Sequence, residues 1–211
     1  MRDVYWCSEE AESSTPSSDD TNASSDTSES VDSYNHNIYF YSEVSRSKIL
    51  ALNKKIVQVG VKLNNFAASL ETEPVNIKLH INSYGGSVFA GFAAVDYIKN
   101  SAIPVDTVIN GCAASAATIM SVVGQSRYMH ENSFMLIHQL SSGLWGKFEE
   151  LKDDMKNNEL LMKRIKLIYE EHTKIPKKQL AGMLKHDLWW DAQTCLKYGL
   201  IDEIITPAKK S

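Results

Sequence analysis

Three stretches carry side chains that could do covalent chemistry. The first is INGCAASAATIM, residues 109–120, with Ser115 among alanines. A β-branched apolar run from Ile103 to Ile109 predicts a buried strand, Asn110-Gly111 permits a sharp turn, and Ile119, Met120, Val122 and Val123 predict a helix after it. A hydroxyl in the first turn of a helix lies beside N–H groups that lack an intrahelical partner, so it could be a nucleophile with an oxyanion site at hand; it could equally be a plain cap. The second stretch, SFMLIHQL, ends an apolar strand near His138. That imidazole is either a buried hydrogen-bonded group or a base at a strand end, where sites of α/β folds assemble. The third is HDLWWD, in which Asp187 stands beside two tryptophans. A carboxylate partly removed from water there needs a partner such as a histidine, unless it caps the next turn.

A fourth stretch offers backbone rather than side chains. SYGGSV, residues 83–88, follows a period-two strand (Val75 to Asn82) and opens a helix through Phe89, Phe92, Val95 and Ile98. Gly85 and Gly86 allow conformations closed to other residues and let another chain come close; a simple tight strand-to-helix turn is the alternative. Without a P-loop lysine, phosphate binding is not expected.

The elements that must hold these groups are legible in the same pattern. Aromatic-rich NIYFYSEV from Asn37 predicts a strand, and Ile49, Leu52, Ile56, Val59, Leu63, Phe66 and Leu70 form a helical stripe ended by Pro74. The longest helix runs from about Phe148 to Glu171, more than a domain of this size uses internally, which suggests contact with another subunit. Pro176 starts a shorter helix, Asp191 caps a last one that Gly199 stops, and LIDEII is a final strand.

The 211 residues carry a net charge of −4, unevenly spread. Residues 1–36 hold nine acids and one base and read as a disordered acidic tail, Ser-rich and with almost no large apolar group from residue 8 on. Residues 37–207 form one mildly basic domain without a concentrated Lys/Arg stripe, so nucleic acid is not expected as a partner. Residues 208–211 are a short C-terminal tail. No apolar run approaches the roughly 18 residues of a membrane span, so no membrane is expected and a cytoplasmic or equivalent soluble compartment is the default. Cys7, Cys112 and Cys195 make neither a disulfide framework nor a zinc pattern; no metal and no cofactor are expected.

The order Ser115, His138, Asp187 excludes the α/β-hydrolase scheme, which needs G-x-S-x-G and an acid before its histidine. Together with INSYGG, GCAASAA, LIHQL, HDLW and KYGLID, it resembles the proteolytic subunit of the Clp protease, ClpP, whose segments read INSPGG, GQAASMG, MIHQP, RDxF and EYGLVD. The resemblance covers roughly residues 38–205 and marks a divergent member of peptidase family S14. It implies an α/β fold, the ClpP/crotonase-like ββα spiral, with the helix at about 148–171 as a projecting handle. It implies heptameric rings stacked as a tetradecamer around enclosed sites that hydrolyse unfolded proteins and peptides. It also implies a serine-type endopeptidase in which Ser115 attacks, His138 moves the proton and Asp187 orients the imidazole. The N–H groups of Gly86 and Ala116 would bind the oxyanion, and backbone at Gly85, Ser87, Val88, Leu140 and Ser141 would pair with extended substrate.

Departures from the family bear on partners. Relatives dock a ring-shaped AAA+ unfoldase in hydrophobic pockets; here Lys78, His80 and Asn100 stand at such places, while Tyr128 and Ile205 remain suitable. A docking pocket altered in this way implies that unfoldase binding is lost, changed or supplied by a co-assembled standard subunit. Lys185-His186 replaces a pair that links the two rings. The rival readings are a non-catalytic ClpR-like subunit of a mixed ring and a crotonase-type acyl-CoA enzyme. Cys112 reads as core filling, and His80, His130 and His172 as surface or capping residues.

Overall fold

The computed structural model describes residues 31–143 and 145–207; the acidic stretch through residue 30 and the C-terminal residues 208–211 lie outside the described residues. The first strand, β1 (Val31–Tyr34), pairs antiparallel with β2 (Asn37–Phe40). This hairpin corrects the expectation that residues through 36 belong to the tail. Its signal is short: Asn35 takes a φ of 54°, which a two-residue hairpin turn favours, and Val31 is the buried apolar anchor.

Helix α1 (Arg46–Ser69) follows Ser45 and buries Ile49, Leu52, Ile56 and Val59. Phe66 and Leu70, expected on the same buried stripe, are exposed. The 24 residues of α1 extend about 36 Å, whereas the 7 residues of β3 (Ile77–Ser83) span about 23 Å. The helix therefore overruns the sheet it covers. Strand β3 alternates Ile77, Leu79, Ile81 and Ser83 into the core with Lys78, His80 and Asn82 on the other face, and α2 (Val88–Lys99) follows.

Strand β4 (Val105–Ala114) is the axis of the sheet. It pairs parallel with β3 on one side and, on the other, first with β5 (Arg127–His130) and then with β6 (Phe134–Leu136). Asn110-Gly111 is not the turn expected: β4 continues through it to Ala114. Between the pairs Ile81↔Ile109 and Ser83↔Ala113 the register slips, and Gly111 takes a φ of 80°. The residues absorb a bulge, which needs the left-handed freedom of glycine as a turn would.

After β6 comes the long helix α4 (Phe148–His172), which buries only Ile165, Ile168 and Tyr169. Helix α5 (Lys177–Met183), strand β7 (Trp189–Asp191), helix α6 (Ala192–Lys197) and strand β8 (Glu203–Ile205) complete the chain. Asp191 accepts from the Thr194 N–H at 2.8 Å and caps α6. The order across the sheet is β1-β2-β3-β4-β5-β8, with β6 on β4 and β7 antiparallel on β6. Arg127 locks the far edge: its guanidinium donates to both Asp202 carboxylate oxygens, to the Gly199 carbonyl and to the His172 carbonyl. That fork holds the Asp202 carboxyl below its ordinary pKa, chiefly by hydrogen bonding. No described helix is long and apolar enough to cross a membrane.

Candidate active site

Strand β4 ends at Ala114 and α3 (Ala116–Ser121) starts at Ala116, so the whole change of direction falls on Ser115, at φ 59° and ψ −126°. A positive φ on a residue with a Cβ costs on the order of 1–3 kcal/mol, and the surroundings must enforce it. Here the Ser115 N–H donates to the Leu136 carbonyl at 2.9 Å, and its own carbonyl accepts from the Thr118 N–H at 3.0 Å and from Thr118 Oγ1 at 2.7 Å. Ser115 makes no side-chain cap bond. It is fully buried, and its Oγ makes no hydrogen bond to a described residue.

The glycine turn packs directly on this serine. A Cβ on Gly85, at φ 101°, would lie 2.6 Å from Ser115 Cβ and 2.7 Å from the Ala114 carbonyl oxygen. On Gly86 a Cβ would lie 2.6 Å from the Val44 carbonyl oxygen. Val44 fixes the turn from outside: its N–H donates to the Gly85 carbonyl at 2.7 Å, and its carbonyl accepts from the Ser87 N–H at 2.8 Å. Ser87 Oγ caps α2 through the Ala90 N–H, and Val88 is buried in the first turn. Neither the Gly86 N–H nor the Ala116 N–H donates to a described acceptor. Helices α2 and α3 approach closely at Gly91, where a Cβ would come within 3.3 Å of Ala116 Cβ. The alanines around Ser115 make that approach possible.

Pairing of β6 with β4 sets Leu136 opposite Ala114, and His138 follows two residues later. Strand β7 then returns along β6, with Trp189 opposite Leu136, and so delivers Asp187 to the same end. His138 Nδ1 lies 3.3 Å from Asp187 Oδ1, with the imidazole buried and the carboxylate side chain 75% exposed. Burial pushes the His138 pKa below its ordinary value, and Asp187 opposes that shift. The expectation that tryptophans shield Asp187 fails: Leu188 and Trp189 are themselves exposed, so the loop presents the carboxylate to solvent. In the single chain His138 and Asp187 meet, while the Ser115 hydroxyl makes no hydrogen bond to either.

Beyond His138, the Leu140 N–H donates to Met162 Sδ at 3.0 Å and the Gln139 N–H to the Leu184 carbonyl at 2.6 Å. Ser141 is half-buried. Two features escaped the sequence reading. The rings of Tyr84 and Trp189 meet edge-on at 6.4 Å between centroids, and Thr118 Oγ1 hydrogen-bonds the fully buried Tyr169 hydroxyl. Each joins residues with no common spacing in the chain.

Lys78, Tyr128 and Ile205 line one pocket of about 360 Å3 with Val108, Glu203, Ile204 and Thr206. His80 is not a lining residue there. It bridges Asn37 Oδ1 at 3.0 Å and Asn110 Nδ2 at 3.1 Å and stacks on Tyr39 at 4.8 Å, so it is a half-buried network member rather than a simple surface residue. Asn100 caps α2, with Nδ2 on the Asp96 carbonyl at 2.7 Å.

Known proteins share this arrangement of chain. A family model described as Clp protease matches residues 33–208. The ATP-dependent Clp protease proteolytic subunit of Deinococcus radiodurans is 32% identical over 172 residues, covering 76% of this chain and 84% of that one. The subunit of the same name from Streptococcus mutans is 39% identical over 134 residues, 62% of this chain and 68% of that one. Among solved structures, a ClpP1 mutant from Listeria monocytogenes superposes with a TM-score of 0.71 at 23% identity, covering 82% of this chain and 92% of that one, and so shares its mixed α/β fold. With the match spanning the described sheet from its first hairpin to its last strand, the chain belongs to the Clp protease family.

Proposed function

We propose that the chain is a serine endopeptidase of the Clp proteolytic-subunit type, acting through Ser115, His138 and Asp187. The observation that carries this reading is the close packing of Gly85 on a strained, buried Ser115 whose hydroxyl has no structural bond, in a chain where His138 is held by Asp187. Ser115 Oγ attacks the peptide carbonyl as His138 takes its proton; the same imidazole then protonates the leaving amine, and water repeats the cycle on the acyl-enzyme. Asp187 keeps the Nδ1–H tautomer and stabilises the imidazolium. The Gly86 and Ala116 N–H groups receive the oxyanion, each lowering the barrier by about 3 kcal/mol by comparison with known oxyanion donors.

Substrate lies extended between the backbone at Gly85, Ser87 and Val88 and that at Leu140 and Ser141, so recognition rests on main-chain pairing and reads little sequence. Leu140 must exchange its Met162 contact for substrate. The subunits form heptameric rings, paired as a tetradecamer in a soluble compartment, and the largely uncovered α4 supplies the contact between rings. Lys78 in the pocket with Tyr128 and Ile205 weakens the docking of an AAA+ unfoldase.

The second reading, a non-catalytic subunit of a mixed ring, is favoured by the exposure of Asp187. A fluorophosphonate probe separates the two. Labelling of Ser115 in the purified particle, absent in Ser115→Ala, with hydrolysis of a short fluorogenic peptide, supports the peptidase. An unlabelled particle supports the non-catalytic subunit.

A further inference from the structure

Thr118 and Tyr169 tie the end of the long helix α4 to the peptide that follows Ser115. The hydroxyl of Thr118 has one proton, and it is committed to the Ser115 carbonyl at 2.7 Å. The Tyr169 hydroxyl, in contact with Thr118 Oγ1, is therefore the donor of that second bond. The Thr118 N–H donates to the same Ser115 carbonyl at 3.0 Å, so that oxygen is held from two directions. Both residues are fully buried, and burial raises the Tyr169 pKa far above its ordinary value, which keeps the proton on the phenol at any working pH.

The consequence follows from peptide geometry. In a trans peptide the C=O and the next N–H point in opposite directions. Turning the Ser115 carbonyl inward to Thr118 turns the Ala116 N–H outward, toward the glycine turn, where a Cβ on Gly85 would lie 3.1 Å from the Ala116 nitrogen. We propose that Tyr169, acting through Thr118, is a positioning residue that fixes the peptide plane between Ser115 and Ala116 and so aims the Ala116 N–H at the oxyanion. The inference rests on the peptidase reading above and deepens it. It makes α4, through Tyr169, part of the apparatus that organises the site, although Tyr169 touches no substrate.

The test uses the full chain in its assembled form, with Tyr169→Phe, Thr118→Val, Thr118→Ser and the double variant Tyr169→Phe/Thr118→Val. Three quantities are read: kcat and KM on a short fluorogenic peptide, the affinity of a peptide boronate that mimics the tetrahedral adduct, and the thermal midpoint. Loss of an aligned oxyanion donor should lower kcat about tenfold in Tyr169→Phe and somewhat more in Thr118→Val, leave KM unchanged and weaken the boronate in parallel. Thr118→Ser should restore wild-type values, and the double variant should be no worse than Thr118→Val, because the two hydroxyls act in series. Tyr169→Phe is nearly isosteric and decides the matter alone if Thr118→Val does not fold. Unchanged kcat and boronate affinity in Tyr169→Phe, whatever its thermal midpoint, overturns the inference and leaves the peptidase reading standing. A wild-type particle that neither labels with fluorophosphonate nor cleaves peptide overturns both.

Discussion

His138 Nδ1 lies 3.3 Å from Asp187 Oδ1, yet the two groups live in different media: the imidazole is buried and the carboxylate is mostly in water. Burial lowers the His138 pKa and the carboxylate raises it, with burial the stronger influence. An imidazole tuned in this way is neutral over a wider range of acidity than free histidine.

Asp187→Asn should therefore have two separable effects. Loss of the tautomer-fixing carboxylate should lower kcat about 10⁴-fold. Loss of the charge that favours imidazolium should also move the acid limb of the rate profile to lower pH. Initial rates on a fluorogenic peptide between about pH 5 and 9 measure both; an unmoved limb would show that the carboxylate does not act on His138.

Gly85→Ala should abolish serine labelling. The added methyl would stand 2.6 Å from Ser115 Cβ and 2.7 Å from a backbone oxygen, at a φ of 101°. Neither a Cβ nor a backbone oxygen can swing aside, so the turn or the serine must move. The fluorophosphonate labelling rate is the readout, with Gly182→Ala, where the methyl meets open space, as the control.

Folding stability should decline on mild acidification. Burial lowers the pKa of His80, His138 and His172. Each unfolded imidazole then binds protons more readily than the folded one, so stability is complete above the ordinary histidine pKa of about 6.5 and is lost as pH falls through the depressed folded values. Thermal midpoints taken from pH 8 to pH 5 should fall below about pH 6.5. A flat series would contradict the assignment.

Lys78, not His80 or Asn100, should govern unfoldase docking, because among these three only Lys78 lines the pocket with Tyr128 and Ile205. A pull-down with a Clp-type unfoldase should show weak retention by the wild-type particle and stronger retention by Lys78→Tyr. His80→Tyr and Asn100→Phe should leave retention unchanged.

Most of the scaffold was legible because it is local. Periodicity located α1, β3, α2, α4 and the capped α6, and Gly85 with Gly86 marked the turn that meets Ser115. What escaped depends on pairings between distant residues. The polar stretch through residue 36 conceals β1, whose order comes from the ladder with β2 and from one buried valine. Asn110-Gly111 permits a turn or a bulge equally, and only the slip of β4 against β3 selects the bulge. Thr118 is an ordinary helix residue and Tyr169 an ordinary core aromatic until the fold sets them together across 51 positions.

The three-residue strand β6 has a consequence for how the molecule fails. Its register sets the serine amide, the histidine and the return of the aspartate loop, while it is among the shortest ladders in the sheet. Slippage by a single position would send the imidazole to the opposite side. Short ladders open long before the whole molecule melts, so traces of urea should silence turnover while circular dichroism still reports an intact fold.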